Sequence, residues 1–484
     1  MSAPTYIGID LGSTNIKAAA YNSGMRRVAF KSTPVDYIRG GDTVEFDAEA
    51  VFERLAGLLR DIVSEAGSGA NIKQIALTGQ AETLVCLGAD MRPLMNAISW
   101  MDERSVSECE QLSELFSPET VRGVTGQLSM LPIWPATKIL WLKKNRPDIF
   151  PRTAYFVLLK DYVTYRLTGR LCADMSIATF SLYFDIYKKS YWQKMLNAIG
   201  ISTAQLPQLV EPCTVAGSLT EEAAALTGIN RGAAINTGTL DHFAGMIGTG
   251  NISPGRVTLS TGTVMALAVM TRGDSGHGGK IAMHYGFLPD TRVMLPVAES
   301  GGVSLEWFRR TCMPGVGYDK LNAVLNERPR TDIIFLPYIV GTNAPEFEAG
   351  ASGVFHGLRQ EHDAFDMARA VMEGVAFVLR KNCEAIKKAG TVVDSIIATG
   401  GGAKSELWCQ IQADITGLPV LVPEESEAAC LGAAMIAAVG SGSYKSLEEA
   451  ASLCVRFKAR YEPRYSYDEK YARFSRLYDA ALSI

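Results

Sequence analysis

The chain has no run of basic residues, no Cys-x-x-Cys pair and no basic-then-apolar N-terminal segment with a cleavage site. Its 47 Lys+Arg stand against 51 Asp+Glu, for a formal net charge of -4. With no aromatic-interleaved basic patch, nothing in it favours nucleic acid. Nine cysteines, an odd count scattered from Cys86 to Cys454, read as reduced, mostly buried thiols of a cytoplasmic protein. Asp10 interrupts the first apolar run, and the uncharged apolar stretch 428–440 is too short to span a bilayer. That stretch is Ala- and Gly-rich and reads as a tightly packed buried helix, so no membrane association is expected. Neither the P-loop pattern nor a dinucleotide-binding fingerprint occurs.

What is present fits two large domains, the natural division of 484 residues that are 47% apolar. Tyr6–Ile9 and Ile16–Tyr21 read as strands of a hairpin whose turn, Asp10 to Asn15, is polar. Val51, Leu55, Leu58, Leu59 and Ile62 recur at helical spacing and predict a helix over 48–66. Ile72–Leu77 reads as a strand, and helices are expected near 136–144, 160–167 and 221–226. Residues 251–255 look like a turn between halves. Val257–Val264 then repeats the strand–turn–strand pattern, a sign of internal duplication. A helix over 365–389, a strand over 395–399 and a helix over 405–416 follow. Interleaved helices and strands predict an α/β fold.

Three Gly-bearing polar turns carry the chemistry: Asp10-Leu11-Gly12-Ser13-Thr14, Ser260-Thr261-Gly262-Thr263 and Gly400-Gly401-Gly402-Ala403. In the first, Gly12 lets the backbone approach a ligand, while Ser13 and Thr14 offer hydroxyls and N–H groups to anionic oxygens. Asp10 suits a hydrated Mg2+; the plain alternative is an Asp-initiated hairpin turn. Lys17 is read as a solvated edge residue. Thr261, Gly262 and Thr263 would cradle phosphates, and Gly401, Gly402 and Ala403 would place bare backbone and a helix N-terminus beside a nucleotide. A fourth element, Gly238-Thr239-Leu240-Asp241-His242, sets a carboxylate at the start of a Gly/Ala-rich helix. Phosphoryl transfer asks a protein mainly for positioning and a base for the incoming hydroxyl. Asp241 suits that base, the alternative being a helix N-cap. His242 is read as structural.

With these elements in view, the chain resembles the FGGY carbohydrate kinases of the actin-like ATPase superfamily. The resemblance rests most specifically on Gly353-Val354-Phe355-His356-Gly357-Leu358 and, seven residues on, Asp366 to Gly374. Phe335-Leu336-Pro337-Tyr338, Lys138 to Lys143 and Gly401 to Ser405 are also similar to that family. It implies two actin-like (ribonuclease H-like) α/β domains, 1–248 for the sugar and the base and 249–484 for the nucleotide, with the last helices returning to the first. It further implies a nucleotide cleft between them, closed during transfer to exclude water. ATP and Mg2+, the latter at Asp10, are the implied cofactors. Gln80, Ala81, Glu82, Trp100, Asp102 and Asp241 are the implied sugar-binding residues. Outside the family context, Glu82 reads as solvated, Asp102–Arg104 as a surface pair and Trp100 as packed.

The expected reaction is transfer of the ATP γ-phosphoryl group to a hydroxyl of a small sugar, a pentulose such as xylulose. The alternatives are a glycerol- or erythritol-type polyol kinase, an actin-like ATPase, or a sugar sensor without kinase activity. The expected partner is that small molecule, with a homodimer as a candidate assembly.

Overall fold

In the computed structural model, which describes residues 4–67, 71–273, 280–348 and 350–483, the chain divides into two units. One comprises Met1–Ile252, Ala282–Arg292 and Glu427–Val455. The other comprises Ser253–Ile281, Val293–Ser426 and Arg456–Ile484.

The first unit is built on a six-stranded sheet in the order Val215–Ser218, Ala234–Leu240, Ile72–Gly79, Thr5–Leu11, Asn15–Asn22, Arg27–Pro34. The three central strands run parallel and their outer neighbours antiparallel. Parallel strands covered on both faces need continuous apolar sequence, and Ile7, Ile9, Ile75 and Leu77 are fully buried. Ile7 and Ile9 point to the same core as Leu55, Leu59 and Ile62 of the helix Ala48–Ala66. That helix begins where the Asp47 side chain accepts the amides of Glu49 and Ala50, and ends at Gly67 with φ 92°.

Alternation along a strand turns Gly8 to the opposite face, where the buried helix Ala428–Gly440 packs. The same helix crosses the helix Asp241–Gly248 at backbone distance. A Cβ on Gly432 would lie 1.9 Å from the Ala244 carbonyl oxygen, and one on Gly248 would lie 1.9 Å from that of Ala428. The small-residue composition of 428–440 is therefore a packing requirement. No described helix is long and apolar enough to cross a membrane.

The second unit repeats the pattern. Met265–Arg272, Gly255–Thr261, Val393–Gly400, Val420–Pro423 and Phe457–Tyr461 pair antiparallel, parallel, parallel and antiparallel in turn. This is the pairing sequence of Asn15–Asn22, Thr5–Leu11, Ile72–Gly79, Ala234–Leu240 and Val215–Ser218. The fold is thus α/β with an actin-like sheet in each unit, and the repeat visible in the two hairpins extends through five strands. The long helix Ala364–Lys388 starts at a capping box of Asp363 and Asp366. Gly353–Leu358 supplies the strand Val354–His356, paired with Ile334–Leu336, and a Cβ on Gly374 would meet the Phe335 carbonyl oxygen at 2.4 Å. The most family-specific motif therefore builds the scaffold.

The helix crossing yields a direct test. Gly432→Val should destabilise the protein by about 3 kcal/mol or more, since the obstacle is backbone and cannot rotate away. Gly57→Ala, with nothing within 4 Å of the added carbon, should leave stability unchanged or slightly raised. Equal thermal midpoints for Gly432→Val and the parent would contradict the close crossing.

Candidate functional site

Three neighbouring parallel strands of the first unit end together. Leu11 pairs with Gly79, and Gly79 with Leu240, so the Asp10–Thr14 turn, Gln80 and Asp241 emerge side by side. Ligands of open α/β sheets bind at the carboxyl ends of such strands.

The carboxyls gathered there are poorly solvated. Asp10 Oδ1 is buried without a hydrogen-bond partner. Burial pushes its carboxyl up to about 7; the charges of Asp241 and Glu427 add to the effect and Lys17 opposes it. Asp241 is the first residue of its helix, whose N-cap is Leu240. Burial raises its pKa, opposed by His242 and by the His242 amide, which donates to Asp241 Oδ1 at 2.6 Å. Burial also pushes Glu82 up to about 8, with Lys138 opposing and Asp241 adding. Glu82 sits at φ 59°, a left-handed conformation that costs a non-glycine residue about 1 kcal/mol or more and often marks a functional loop. Asp241 is thus a neighbour of both other carboxyls.

Lys17, expected as a solvated edge residue, lies on an interior strand opposite Asp10 and pairs with Glu427 at 2.7 Å. The sequence could not reveal this partner, 410 residues away.

The loop after Gly79 is knitted to the first turn. Gln80 N donates to the Leu11 carbonyl at 3.0 Å, and Gln80 Oε1 accepts from Thr83 Oγ1 at 2.9 Å. Ala81 is buried. Trp100 Nε1 donates to Ser13 Oγ at 2.9 Å, joining an expected sugar residue to an expected phosphate residue. Asp102 departs from expectation. It is fully buried, and its two oxygens accept from the Arg104 amide, Nε and Nη2 and from the Val44 amide. Four donors fill a carboxylate, so Asp102 has no acceptor left for a sugar hydroxyl. It fixes Arg104, which in turn reaches Glu45 at 2.6 Å. The pair is a buried support, not a surface contact.

Lys138 was legible only as part of a motif. Its Nζ donates to the carbonyls of Ser99 at 2.6 Å and Ile133 at 3.0 Å. Burial lowers its pKa to about 7, against the opposing charges of Asp102 and Glu82. A lysine set among Ile139, Leu140 and Leu142 in the helix Pro135–Asn145 was the available signal.

In the second unit Thr261 pairs with Gly400, which brings Thr261–Gly262–Thr263 beside Gly401–Gly402–Ala403. The carbonyls of Gly262 and Thr263 accept the first amides of the helix Gly302–Cys312. Gly262 has open space where a Cβ would stand. The helix expected straight after Gly400–Gly402 is preceded by a 3-10 turn over Gly402–Lys404, and its N-terminus is capped by Ser405, which accepts the Trp408 amide at 3.2 Å. The turn, not a free helix end, therefore faces any ligand there. A groove of about 490 Å³ in this unit, lined by Arg328, Arg330, Arg464 and Tyr465 among others, contains none of the expected site residues.

Residues 5–248 match the N-terminal domain model, and residues 304–441 the C-terminal domain model, of the FGGY family of carbohydrate kinases. The chain is 31% identical to a xylulose kinase from Bacillus subtilis, over 98% of this chain and 95% of that one. A ligand-bound xylulose kinase from Lactobacillus acidophilus superposes with a TM-score of 0.89 at 26% identity, over 99% of this chain and 97% of that one. A gluconate kinase from the same organism is similar at TM-score 0.89 and 26% identity, over 100% and 97%.

The raised carboxyls set a pH dependence. Unfolded, Asp10 and Glu82 ionise near 3.8 and 4.5; folded, they hold their protons to about 7 and about 8. Between these limits the folded state binds more protons, so stability is complete below the window and falls as pH rises through it. Urea unfolding at about pH 5 and about pH 8 should show a loss of up to about 6 kcal/mol that shrinks in the Asp10→Asn/Glu82→Gln variant. An undiminished loss in that variant would place its source elsewhere.

Proposed function

The chain belongs to the FGGY family of carbohydrate kinases, and we propose that it transfers the γ-phosphoryl group of ATP to a hydroxyl of a pentulose such as xylulose. The observation that carries this reading is the placement of Asp10 and Asp241, two carboxyls at the ends of the parallel strands on either side of Ile72–Gly79, with the charge of Asp241 helping to raise the Asp10 pKa. Asp241 acts as the base. Its Oδ1 is held by the His242 amide, leaving Oδ2 to take the hydroxyl proton. Glu82, pushed up to about 8, keeps its proton near neutral pH and donates a hydrogen bond where Asp241 accepts one. Two carboxyls in different surroundings thereby take opposite roles. Trp100, anchored by Ser13, packs along the carbon chain, and Ala81 leaves that floor roomy.

Asp10 is suited to Mg2+, since its unpartnered Oδ1 is available. Among the described residues no group of three or more His, Cys, Asp or Glu could form a cage, which fits a cation that takes one or two carboxylates and keeps its other ligands as water and phosphate. When bound, it would supply positive charge to the phosphate oxygens. In the second unit the backbone amides of Thr261–Thr263 and Gly401–Ala403 are the candidates for the nucleotide, and in the first unit those of Gly12–Thr14 are candidates for phosphate oxygens. A cytoplasmic, homodimeric protein belongs to the same reading, and the nine cysteines, none in a disulfide, support the location.

Relatives named xylulose kinase support a pentulose, while a structure of equal similarity is named gluconate kinase. An acid sugar needs a cation to meet its carboxylate. Lys138 and Arg104, beside this loop, are engaged, Lys138 with backbone carbonyls and Arg104 with Asp102 and Glu45. That favours the uncharged sugar.

Sugar-dependent ADP release across pentuloses, hexuloses, polyols and gluconate tests the reading. A pentulose should be preferred, and Asp241→Asn should lower kcat by roughly two to four orders of magnitude. Gly262→Val should raise the ATP KM with unchanged circular dichroism. Glycerol or gluconate as best acceptor would overturn the substrate, and a loss below about tenfold in Asp241→Asn would overturn the base.

A further inference from the structure

Immediately before Asp241 the strand Ala234–Leu240 breaks register. Asn236 pairs with Ala76 and Thr239 with Thr78, so Thr237 and Gly238 together oppose Leu77 alone. This is a β-bulge, a device that bends a strand and re-aims the residues beyond it. It demands glycine. Gly238 sits at φ 62°, and a Cβ there would lie 1.7 Å from the Leu77 carbonyl oxygen.

A bulge leaves backbone groups outside the ladder, and here a buried polar relay takes them up. Lys160, on the helix Leu159–Thr168, donates to the Thr237 carbonyl at 2.6 Å and to Asp174 Oδ2. Asp174 Oδ1 accepts the Ser176 amide at 3.0 Å, the Ser176 hydroxyl and the Ile177 amide. Ser176 Oγ then meets Thr239 Oγ1 at 2.7 Å and accepts the Leu240 amide at 3.3 Å. Thr239 is tied from its other side, its carbonyl accepting from Thr78 Oγ1 at 2.9 Å. Lys160 and Asp174 are essentially sealed from solvent, at 1% and 0% side-chain exposure. The relay thus grips residues 237, 239 and 240, every residue from the start of the bulge to Asp241 except Gly238. Gly238 is held in turn by its amide to Asn236 Oδ1 and its carbonyl to the Cys213 amide.

We propose that Lys160, Asp174 and Ser176 are positioning residues that lock the Gly238 bulge and thereby aim the Asp241 carboxylate at the acceptor hydroxyl. A buried ion pair is weak evidence of stability, because its desolvation offsets its attraction. Its value here is geometric: the ammonium holds the Thr237 carbonyl, on the first residue of the bulge, at 2.6 Å. None of the relay's hydrogen-bond partners belongs to the three Gly-bearing turns, so the lock acts on the chemical step and not on nucleotide affinity. This rests on the reading of Asp241 as the base.

The test uses the full-length protein, saturating ATP and the preferred sugar. Ser176→Ala removes the hydroxyl without exposing a charge. The Lys160→Met/Asp174→Asn pair removes the hold on Thr237, while the new amide oxygen still caps the Ser176 and Ile177 amides and no unpaired charge remains. With circular dichroism unchanged, each should lower kcat roughly 10- to 100-fold, the cost of misplacing a reacting group by about an ångström. KM for ATP and for sugar should stay within about threefold. In an Asp241→Asn background Ser176→Ala should cost nothing further, since residues acting as a unit are not additive. A kcat within twofold of the parent in both variants, a loss confined to KM, or the same fold loss with and without Asp241 would each overturn the lock. If Asp241→Asn alone keeps near-parental kcat, the base assignment fails, a result separable from an inert Ser176→Ala beside an inactive Asp241→Asn.

Discussion

The first unit depends on holding ionisable carboxyls in poorly hydrated positions at its strand ends. Burying a carboxylate is costly unless it is paired or neutralised, and Asp10, Glu82 and Asp241 all have raised pKa values for that reason. The surroundings meet the cost only in part. Lys17, itself tethered to Glu427, faces Asp10; Lys138 opposes the shift at Glu82; Asp241 has little besides the His242 ring and amide. A site left in this condition calls for cations and hydroxyls from outside, and phosphoryl transfer to a sugar brings both. The scaffold beneath is correspondingly rigid: the helix headed by Asp241 is pinned against Ala428–Gly440 at a distance only glycine permits.

The second unit shows what the same topology does with other residues. Its pairing of Thr261 with Gly400 matches that of Leu11 with Gly79. Aligned on these pairs, Gly262-Thr263 stands where Gly12-Ser13 does, and Ser260 where Asp10 does. The repeat thus keeps the glycine turn that lets backbone approach an anion and replaces the carboxylate with a hydroxyl. The carboxylate is kept in one copy, and the other carries a hydroxyl at the matching position.

Much of this was legible in the chain. The helix at 48–66 follows from periodicity, the helix at 428–440 from its uncharged Ala- and Gly-rich composition, and the strands flanking Asp10 and Thr261 from short apolar runs beside polar turns. Asp241 stood out as a carboxylate opening a small-residue helix. What escaped were relations across long separations. Lys17 with Glu427, Lys160 with Thr237, and the return of 282–292 to the first unit leave no periodic trace. Asp102 was misjudged because an exposed acceptor and a saturated buried one look alike in sequence; only its four donors distinguish them. The family-specific stretch from Gly353 to Gly374 identified the chain while contributing packing, which is why the motif named the family and the strand ends supplied the chemistry.

The central claim is that the carboxyls at these strand ends direct a phosphoryl group to a sugar hydroxyl and not to water. Phosphorus-31 NMR of the protein incubated with ATP, Mg2+ and a pentulose tests it most directly. The account predicts ADP and a sugar phosphomonoester in equal amounts, with inorganic phosphate negligible. ADP accompanied by stoichiometric inorganic phosphate, whether or not sugar is present, would contradict it.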